Sequence, residues 1–214
     1  MKILIVTPDV NGIDAIGETR RIQQWHDCAI LHGTVTAEDV YRTVQEKAFD
    51  VIHFATHGGP DGVLLSSNTL LSAEDIAQFV RLRETQGVFF SACQTGRLAS
   101  YAVRHGAKWA ISSEVDLPDG EAWKLAAAFY SHQRNGHSKD FVGAYVLADS
   151  GDGEYALHIS PDYVRDLQRT SAAASTMPHV AHPITRREAL LWGLGLLAAS
   201  TALAGAVTAL AGRF

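Results

Sequence analysis

The chain has 214 residues, a net charge of −5 and only two cysteines, Cys28 and Cys93. This length allows one domain with a sizeable core and some appendage. The acidic balance and the lack of a lysine- and arginine-rich stripe exclude nucleic acid as the expected partner. Two cysteines exclude a disulfide framework. The opening "MKILIVTPDV" is too short an apolar run for a signal peptide, so we expect folding in a reducing cytoplasm.

The first fifty residues predict two strands that alternate with two helices. "KILIVTP" and "CAILHG" are apolar runs typical of buried strands, and "GETRRIQQW" between them predicts a short helix. "TAEDVYRTVQEKAFD" predicts a second helix, because Thr36 and Asp39 form a variant of the capping box at its start.

The next segment repeats this alternation. "VIHFATHGG" predicts a third strand that ends in a glycine turn, and "GVLLSSNTLLS" predicts a β-hairpin. "SAEDIAQFVRL" opens with a second capping pair, Ser72 and Asp75, and predicts a helix. "GVFFSA" predicts the fourth main strand, and "SYAVRHG" a helix.

The rest of the domain follows the same pattern. "KWAISS" predicts a fifth strand, "DGEAWKLAAAFYSHQRNG" and "SKDFVGAYVLAD" predict helices, and "EYALHIS" predicts a last or edge strand. Strands that alternate with helices favour an α/β domain over residues 1–160, with a mostly parallel sheet covered by helices on both faces.

The C-terminal part has a different composition. Residues 161–187 are polar and small, which predicts a linker. Ala189–Gly212 contains no charged residue, and as a helix it would be roughly 35 Å long against roughly 30 Å of hydrocarbon. We therefore expect a single-pass tail-anchor helix at 188–212 in the cell inner membrane. Positively charged residues that flank a membrane helix favour the cytoplasmic side, so Arg186 and Arg187 predict that the domain faces the cytoplasm. The alternative is a buried core helix, or a hairpin split at Gly205.

Two reactive side chains follow predicted strands. His57 comes after "VIHFAT" and precedes two glycines, and Cys93 comes after "VFFSA" and precedes a turn. The carboxyl ends of parallel strands meet at one edge of a sheet, where ligands collect. An imidazole beside a thiol can take its proton and create a thiolate nucleophile. The backbone N–H groups of Gly58 and Cys93 could then bind an oxyanion.

The same residue types have structural interpretations. Buried cysteines and structural histidines are common, and Cys28, at the start of a strand with no glycine turn, is expected in the core. His53 lies inside a strand and is expected to be a partnered interior or face histidine. The remaining histidines lack the paired spacing of metal ligands, so no zinc site is expected.

"HFATHGG" followed by "VFFSACQTG" resembles the signature of CHAT domains, the caspase-like peptidases related to separase and caspases. The resemblance covers roughly residues 1–160. It implies a caspase-like fold, with His57 as base, Cys93 as nucleophile, and Gly58 and Cys93 as oxyanion-hole donors. The implied reaction is peptide hydrolysis through a thioester, with no metal or organic cofactor.

Substrate choice is less determined. In relatives of this family, a side chain two places before the cysteine helps to read the substrate, and here that side chain is the neutral Ser91. Asp116 and Asp119 could line the S1 pocket and favour Lys or Arg, with Glu114 a weaker candidate. The alternative is that these acidic groups belong to a loop that starts the helix from Glu121.

Together with the predicted membrane helix, the resemblance implies a membrane-anchored cysteine endopeptidase that acts on a protein substrate, as the effector of a prokaryotic defence or programmed-cell-death system. A sensor or regulatory protein would activate it in trans, and the small residues of the membrane helix suggest a homo-oligomer. One alternative is a non-enzymatic membrane scaffold with a caspase-like fold. Another is a small-molecule acyl transferase or amidase with the same dyad.

Overall fold

The computed structural model describes residues 1–10, 13, 15–66, 69–117, 122–134, 141–149 and 154–175. The strands are β1 (Lys2–Pro8), β2 (Asp27–Gly33), β3 (Val51–Ala55), β4 (Gly58–Gly59), β5 (Gly62–Ser66), β6 (Thr69–Ser72), β7 (Gly87–Ser91), β8 (Trp109–Ser113) and β9 (Tyr155–Ile159). The helices are α1 (Ala15–Gln23), α2 (Ala37–Glu46), α3 (Ala73–Leu82), α4 (Gly96–Arg104), α5 (Ala122–Arg134), α6 (Phe141–Ala148) and α7 (Pro161–Ser175). Residues 1–168 form one compact unit, and a second unit begins at Arg169.

The described strands form a six-stranded sheet in the order β2-β1-β3-β7-β8-β9. The pairings from β2 to β8 are parallel, and β9 pairs antiparallel with β8 at the edge. The mostly parallel sheet is therefore confirmed. β4, β5 and β6 form a separate small antiparallel sheet. It contains the predicted hairpin, together with the glycine pair Gly58–Gly59, too short for a sequence pattern to reveal.

The sheet is buried on both faces, which explains its continuous apolar strands. One face packs on α2, α3 and α4 around residues such as Val6, Phe54 and Phe90. The opposite face packs on α1, α5 and α6 around residues such as Ile5, Phe89 and Trp109. Successive strand residues point to opposite faces, so the parallel strands β1, β2, β3, β7 and β8 contribute to both core clusters.

Both predicted capping boxes are present. The Thr36 side chain accepts from the Asp39 N–H, and the Asp39 carboxylate accepts from the Thr36 N–H at the start of α2. Ser72 and Asp75 make the same pair of hydrogen bonds at the start of α3. Each box satisfies backbone donors that a helix N-terminus otherwise leaves unpaired.

Two regions differ from the sequence prediction. Helix α4 begins at Gly96, directly after the Cys93 turn, rather than near Ser100. Residues 161–175, predicted as the start of a linker, form helix α7. Here Ser160 and Pro161 are the overlooked signal: the Ser160 hydroxyl accepts from the Tyr163 N–H, and proline suits the first position of a helix.

The predicted membrane helix at 188–212 lies outside the described residues. Within the part of the chain that the structure describes, no helix has both the length and the apolar character needed to cross a bilayer.

Candidate active site

The register of two neighbouring strands brings His57 and Cys93 to one edge of the sheet. β3 and β7 pair in parallel, and their last pair is Ala55 with Ser91. The pairing continues with a hydrogen bond from the Thr56 N–H to the Ser91 carbonyl, at 3.4 Å. His57 and Cys93 each lie two residues beyond the last paired residue of their strand. Both residues therefore lie beyond the carboxyl ends of neighbouring strands, at the same edge of the sheet.

The small antiparallel sheet holds the backbone of His57. The Leu64 N–H donates to the His57 carbonyl at 2.8 Å, and the Thr56 hydroxyl donates to the Leu64 carbonyl at 2.6 Å. Gly58, the next residue, pairs with Val63 of β5. Hydrogen-bonded and non-hydrogen-bonded pairs alternate along an antiparallel ladder, so the Gly58 N–H faces away from β5.

Gly58 lies directly against the turn that carries Cys93. A Cβ at position 58 would lie 2.8 Å from the Cys93 carbonyl oxygen, 2.9 Å from the Ala92 Cβ and 2.7 Å from the Thr95 Cγ2. These distances are below normal contact, so the position requires a residue without a side chain. The glycine thus allows the His57 loop to touch the Cys93 turn.

The turn after Cys93 is fixed by backbone contacts. Gln94 has a φ of +50°, in the left-handed region that few non-glycine residues adopt. Its N–H donates to the Val115 carbonyl at 3.3 Å, and the Thr95 N–H donates to the Ser113 carbonyl at 2.8 Å. The chain therefore leaves the strand, reverses at Gln94 and enters α4 within a few residues.

Cys93 is a half-buried free thiol beneath the loop that follows β8. The Leu117 N–H donates to its sulfur at 3.3 Å, and the Leu117 carbonyl oxygen lies 4.0 Å from the same sulfur. A backbone donor directed at sulfur stabilises negative charge on it. The Leu117 side chain is 9% exposed and packs in the core next to Cys93.

A chain of buried polar groups lies beneath the site. The Ser91 hydroxyl donates to Glu18 Oε2 at 3.1 Å, and Glu18 Oε1 lies 3.0 Å from His53 Nε2, without the alignment of a hydrogen bond. His53 Nδ1 is 3.1 Å from the Tyr130 hydroxyl. Burial, followed by the nearby Glu18 charge, raises the pKa of Tyr130 well above its usual value. The predicted interior position of His53 is confirmed; its Nδ1 is paired with Tyr130, whereas its Nε2 has no aligned hydrogen bond.

Glu18 was not singled out by the sequence analysis, although a signal for its burial exists. It lies four residues before Ile22 in α1, and residues four apart share one helix face. Ile22 is fully buried, so Glu18 is carried into the same interface and is only 5% exposed.

The structure separates the proposed substrate-reading residues. Ser91 is buried, and its hydroxyl is occupied by Glu18. Asp116 is exposed beside the Cys93 turn, where its carboxylate accepts from the Gln94 side-chain N–H at 2.8 Å. Asp119 lies outside the described residues. The Glu114 carboxylate sits against Gly96 at the start of α4 and near His158, whose pKa burial lowers.

Cys28 has a different environment from Cys93. It is half-buried against the second core cluster, and its thiol lies 3.4 Å from the His26 carbonyl oxygen. Burial, aided by the Asp27 charge, raises the pKa of Cys28 to about 11. Cys28 is therefore a protonated packing residue near neutral pH. Among the described residues, no three His, Cys, Asp or Glu side chains form a metal-binding group.

Comparisons with known proteins identify the family and the fold. The CHAT domain model matches residues 13–141, more than half of the chain. The Arg-specific cysteine proteinase gingipain R superposes with a TM-score of 0.60 at 13% identity, over 75% of this chain and 46% of the gingipain chain. The complex of the Porphyromonas gingivalis RgpB pro- and mature domains gives 0.55 at 12% identity, over 76% and 48%.

These likenesses show a caspase-like cysteine peptidase fold. The matched part spans about half the length of the two proteinase chains. Among curated proteins, none matches this chain.

Proposed function

Because the chain belongs to the CHAT domain family, we propose that it is a cysteine endopeptidase with His57 as base and Cys93 as nucleophile. The observation that carries the proposal is the common register of the two residues beyond β3 and β7. The packing of Gly58 against the Cys93 turn supports it, because this packing is what an oxyanion hole shared by the two loops requires.

Apart from the substrate and water, the proposed reaction uses only groups of this chain. His57 takes the proton of the Cys93 thiol, and the thiolate attacks the carbonyl carbon of the scissile peptide bond. The N–H groups of Gly58 and Cys93 hold the resulting oxyanion. When the C–N bond breaks, His57 gives the proton to the leaving amine, and water then hydrolyses the thioester.

The decisive experiment incubates the purified full-length chain with a peptide library and identifies cleavage sites by mass spectrometry. We expect cleavage by the wild type and by Cys28→Ala, and none by Cys93→Ala or His57→Ala. Cleavage that survives Cys93→Ala would overturn the assignment. Turnover of small amides or esters without any peptide cleavage would favour the amidase or acyl-transferase alternative.

For the substrate, we propose that Asp116, together with Asp119, favours Lys or Arg before the scissile bond. The exposed Asp116 carboxylate accepts a hydrogen bond from the side chain of Gln94, which directly follows Cys93 in the turn. Asp116→Asn should reduce cleavage after basic residues more than cleavage after neutral ones. An equal reduction for both classes would assign Asp116 to the stability of the loop.

We further propose that residues 188–212 anchor the protein in the inner membrane with the peptidase domain in the cytoplasm. The support is the uncharged sequence Ala189–Gly212 and the arginine pair before it. Membrane fractionation should recover the full chain in the membrane pellet, and a chain truncated after residue 187 in the soluble fraction. Recovery of both chains in the soluble fraction would contradict the anchor.

Finally, we propose that a sensor or regulatory protein raises the basal activity of the peptidase in trans, in a defence or cell-death role, and that the chain forms homo-oligomers. The resemblance to the CHAT family is the support for this role. Co-expression with proteins encoded beside it, followed by a viability assay, tests the role. Loss of viability should require Cys93. Toxicity that persists in Cys93→Ala would favour the scaffold alternative.

Thiol labelling separates the enzyme from a non-enzymatic scaffold without any substrate. Iodoacetamide should modify Cys93 selectively in the wild type, and this selectivity should be lost in His57→Ala. Equal, slow modification of Cys28 and Cys93 would support the scaffold.

A further inference from the structure

A groove opens beside His57 on the surface of the small antiparallel sheet. Its volume is about 290 Å³, near the lower limit of the ~300–1,000 Å³ typical of small-molecule pockets, so it suits one or two side chains. The lining residues are His57, Gly58, Gly59, Pro60, Asp61, Gly62, Leu64 and Leu70. Most of this wall is glycine-rich main chain, and the two leucines provide its large apolar side chains.

The place of the groove relative to the chemistry identifies its occupant. In the proposed reaction His57 protonates the leaving amine, so the peptide that begins with this amine lies on the His57 side of the scissile bond. The groove starts at His57 and continues along β4 and β5. We propose, on the basis of the proposed function, that this groove binds an apolar substrate side chain within two residues after the scissile bond.

The chemistry of the wall selects an apolar side chain. Leu70 is 50% exposed, so a large apolar surface faces solvent at the groove. The charged lining residue, Asp61, forms an ion pair with Arg97 at 3.6 Å, and both side chains are more than 70% exposed. An exposed pair of this kind contributes little binding energy and is partly neutralised. A leucine-sized side chain on Leu64 and Leu70 removes apolar area from water on both partners.

The glycines of the wall provide a way to block the groove without disturbing the fold. A Cβ at Gly59 would meet no protein atom within 4 Å, so Gly59→Leu adds its side chain in open space beside the groove. A Cβ at Gly62 would instead collide with the Leu71 backbone and the Leu70 side chain. Position 59 is therefore the site for a blocking substitution.

The test uses internally quenched peptides that share one acyl side and carry Leu, Ala, Lys or Asp at both of the first two positions after the scissile bond. For the full-length wild type we expect kcat/KM for the Leu peptide to exceed that for the Ala peptide by about 10-fold or more, the usual scale for discrimination by an apolar pocket. Leu70→Lys should abolish this preference and favour the Asp peptide. Leu147→Lys, on α6 and 53% exposed, is the matched control and should keep the preference. Gly59→Leu should lower kcat/KM for the Leu peptide more than for the Ala peptide.

A binding measurement separates failure of the groove from failure of the proposed reaction. A short peptide with an N-terminal leucine should shift the NMR signals of the Leu70 methyl groups in the wild type, and a peptide with an N-terminal aspartate should not. Methyl shifts without any cleavage would overturn the endopeptidase and leave the groove as an apolar binding site. Cys93-dependent cleavage with equal rates for the four peptides, or no methyl shift with the leucine peptide, would overturn the groove.

Discussion

The backbone N–H of Leu117 donates a hydrogen bond to the sulfur of Cys93, with 3.3 Å between nitrogen and sulfur. The contact joins two loops of neighbouring strands, because Cys93 follows β7 and Leu117 belongs to the loop after β8. The Leu117 side chain is buried in the core cluster against which Cys93 packs, while its backbone supplies a donor to the thiol. One residue of the loop after β8 thus both contacts the sulfur through its backbone and packs in the core beside the Cys93 turn.

Leu117→Ala should make Cys93 easier to alkylate. The substitution keeps the backbone donor and removes a buried side chain of the cluster against which Cys93 packs, so we expect a several-fold faster reaction with iodoacetamide. It should also lower the free energy of unfolding by about 2 kcal/mol, the low end for a buried leucine, because the site lies at the edge of the core. Mass spectrometry of the two cysteines measures the rate, with Cys28 as internal reference. Unchanged labelling of Cys93 would show that Leu117 does not limit access.

Gly58→Ala should damage both the fold and the reaction. The new methyl group would lie 2.8 Å from the Cys93 carbonyl oxygen, so the two loops must move apart and the proposed oxyanion donors separate. We expect a lower melting temperature and a loss of about 100-fold or more in kcat/KM. Gly59→Ala, whose methyl group meets nothing within 4 Å, is the control for the melting temperature. Wild-type activity in Gly58→Ala would refute the role of this close approach.

Glu18→Ala should be strongly destabilising, and Glu18→Gln less so. Removing the carboxylate leaves the buried Ser91 hydroxyl and His53 ring without their shared partner. Removal of one partner from a buried pair costs about 3–5 kcal/mol, whereas glutamine keeps an acceptor for Ser91. Urea unfolding of both variants gives the free energies. Equal losses for Ala and Gln would mean that the negative charge, rather than the hydrogen bond, is what Ser91 and His53 require.

Cys28 should make the folded protein less stable in alkali. Its pKa of about 11 in the folded state lies above the ordinary thiol value of 9.0. Between these values the folded chain keeps a proton that the unfolded chain has lost, so stability is full below about pH 9 and falls as the pH rises toward about 11. In Cys28→Ala, the urea concentration at the midpoint of unfolding should depend less on pH over this range. An identical pH dependence in the variant would show that the Cys28 thiol is not the cause of the lower stability in alkali.

The strands and the candidate dyad follow from local sequence, because apolar runs that end at His57 and Cys93 fix where β3 and β7 stop. The two capping boxes are equally local, with partners three positions apart in the sequence. The Glu18–Ser91 contact joins residues 73 apart, and the Leu117–Cys93 contact joins residues 24 apart. Such contacts depend on strand order and loop path, which no local pattern encodes.

Helix α7 is a different case, because a local helix signal is present although the composition of the segment predicts a linker. Small and polar residues after Pro161 predict a linker, yet Ser160 and Pro161 are a helix start of the usual kind. The Ser160 cap and the proline at the first helical position therefore favour a helix over an extended linker in this segment.

The shared level of the two loops has a consequence for how this protein can tolerate insertions and deletions. His57 and Cys93 are positioned by residue count from a common pair, Ala55 and Ser91. One added residue in either segment would shift its reactive side chain by about 3.3 Å and turn it to the opposite face. Natural length variation should therefore be absent from the two residues that follow β3 and the two that follow β7.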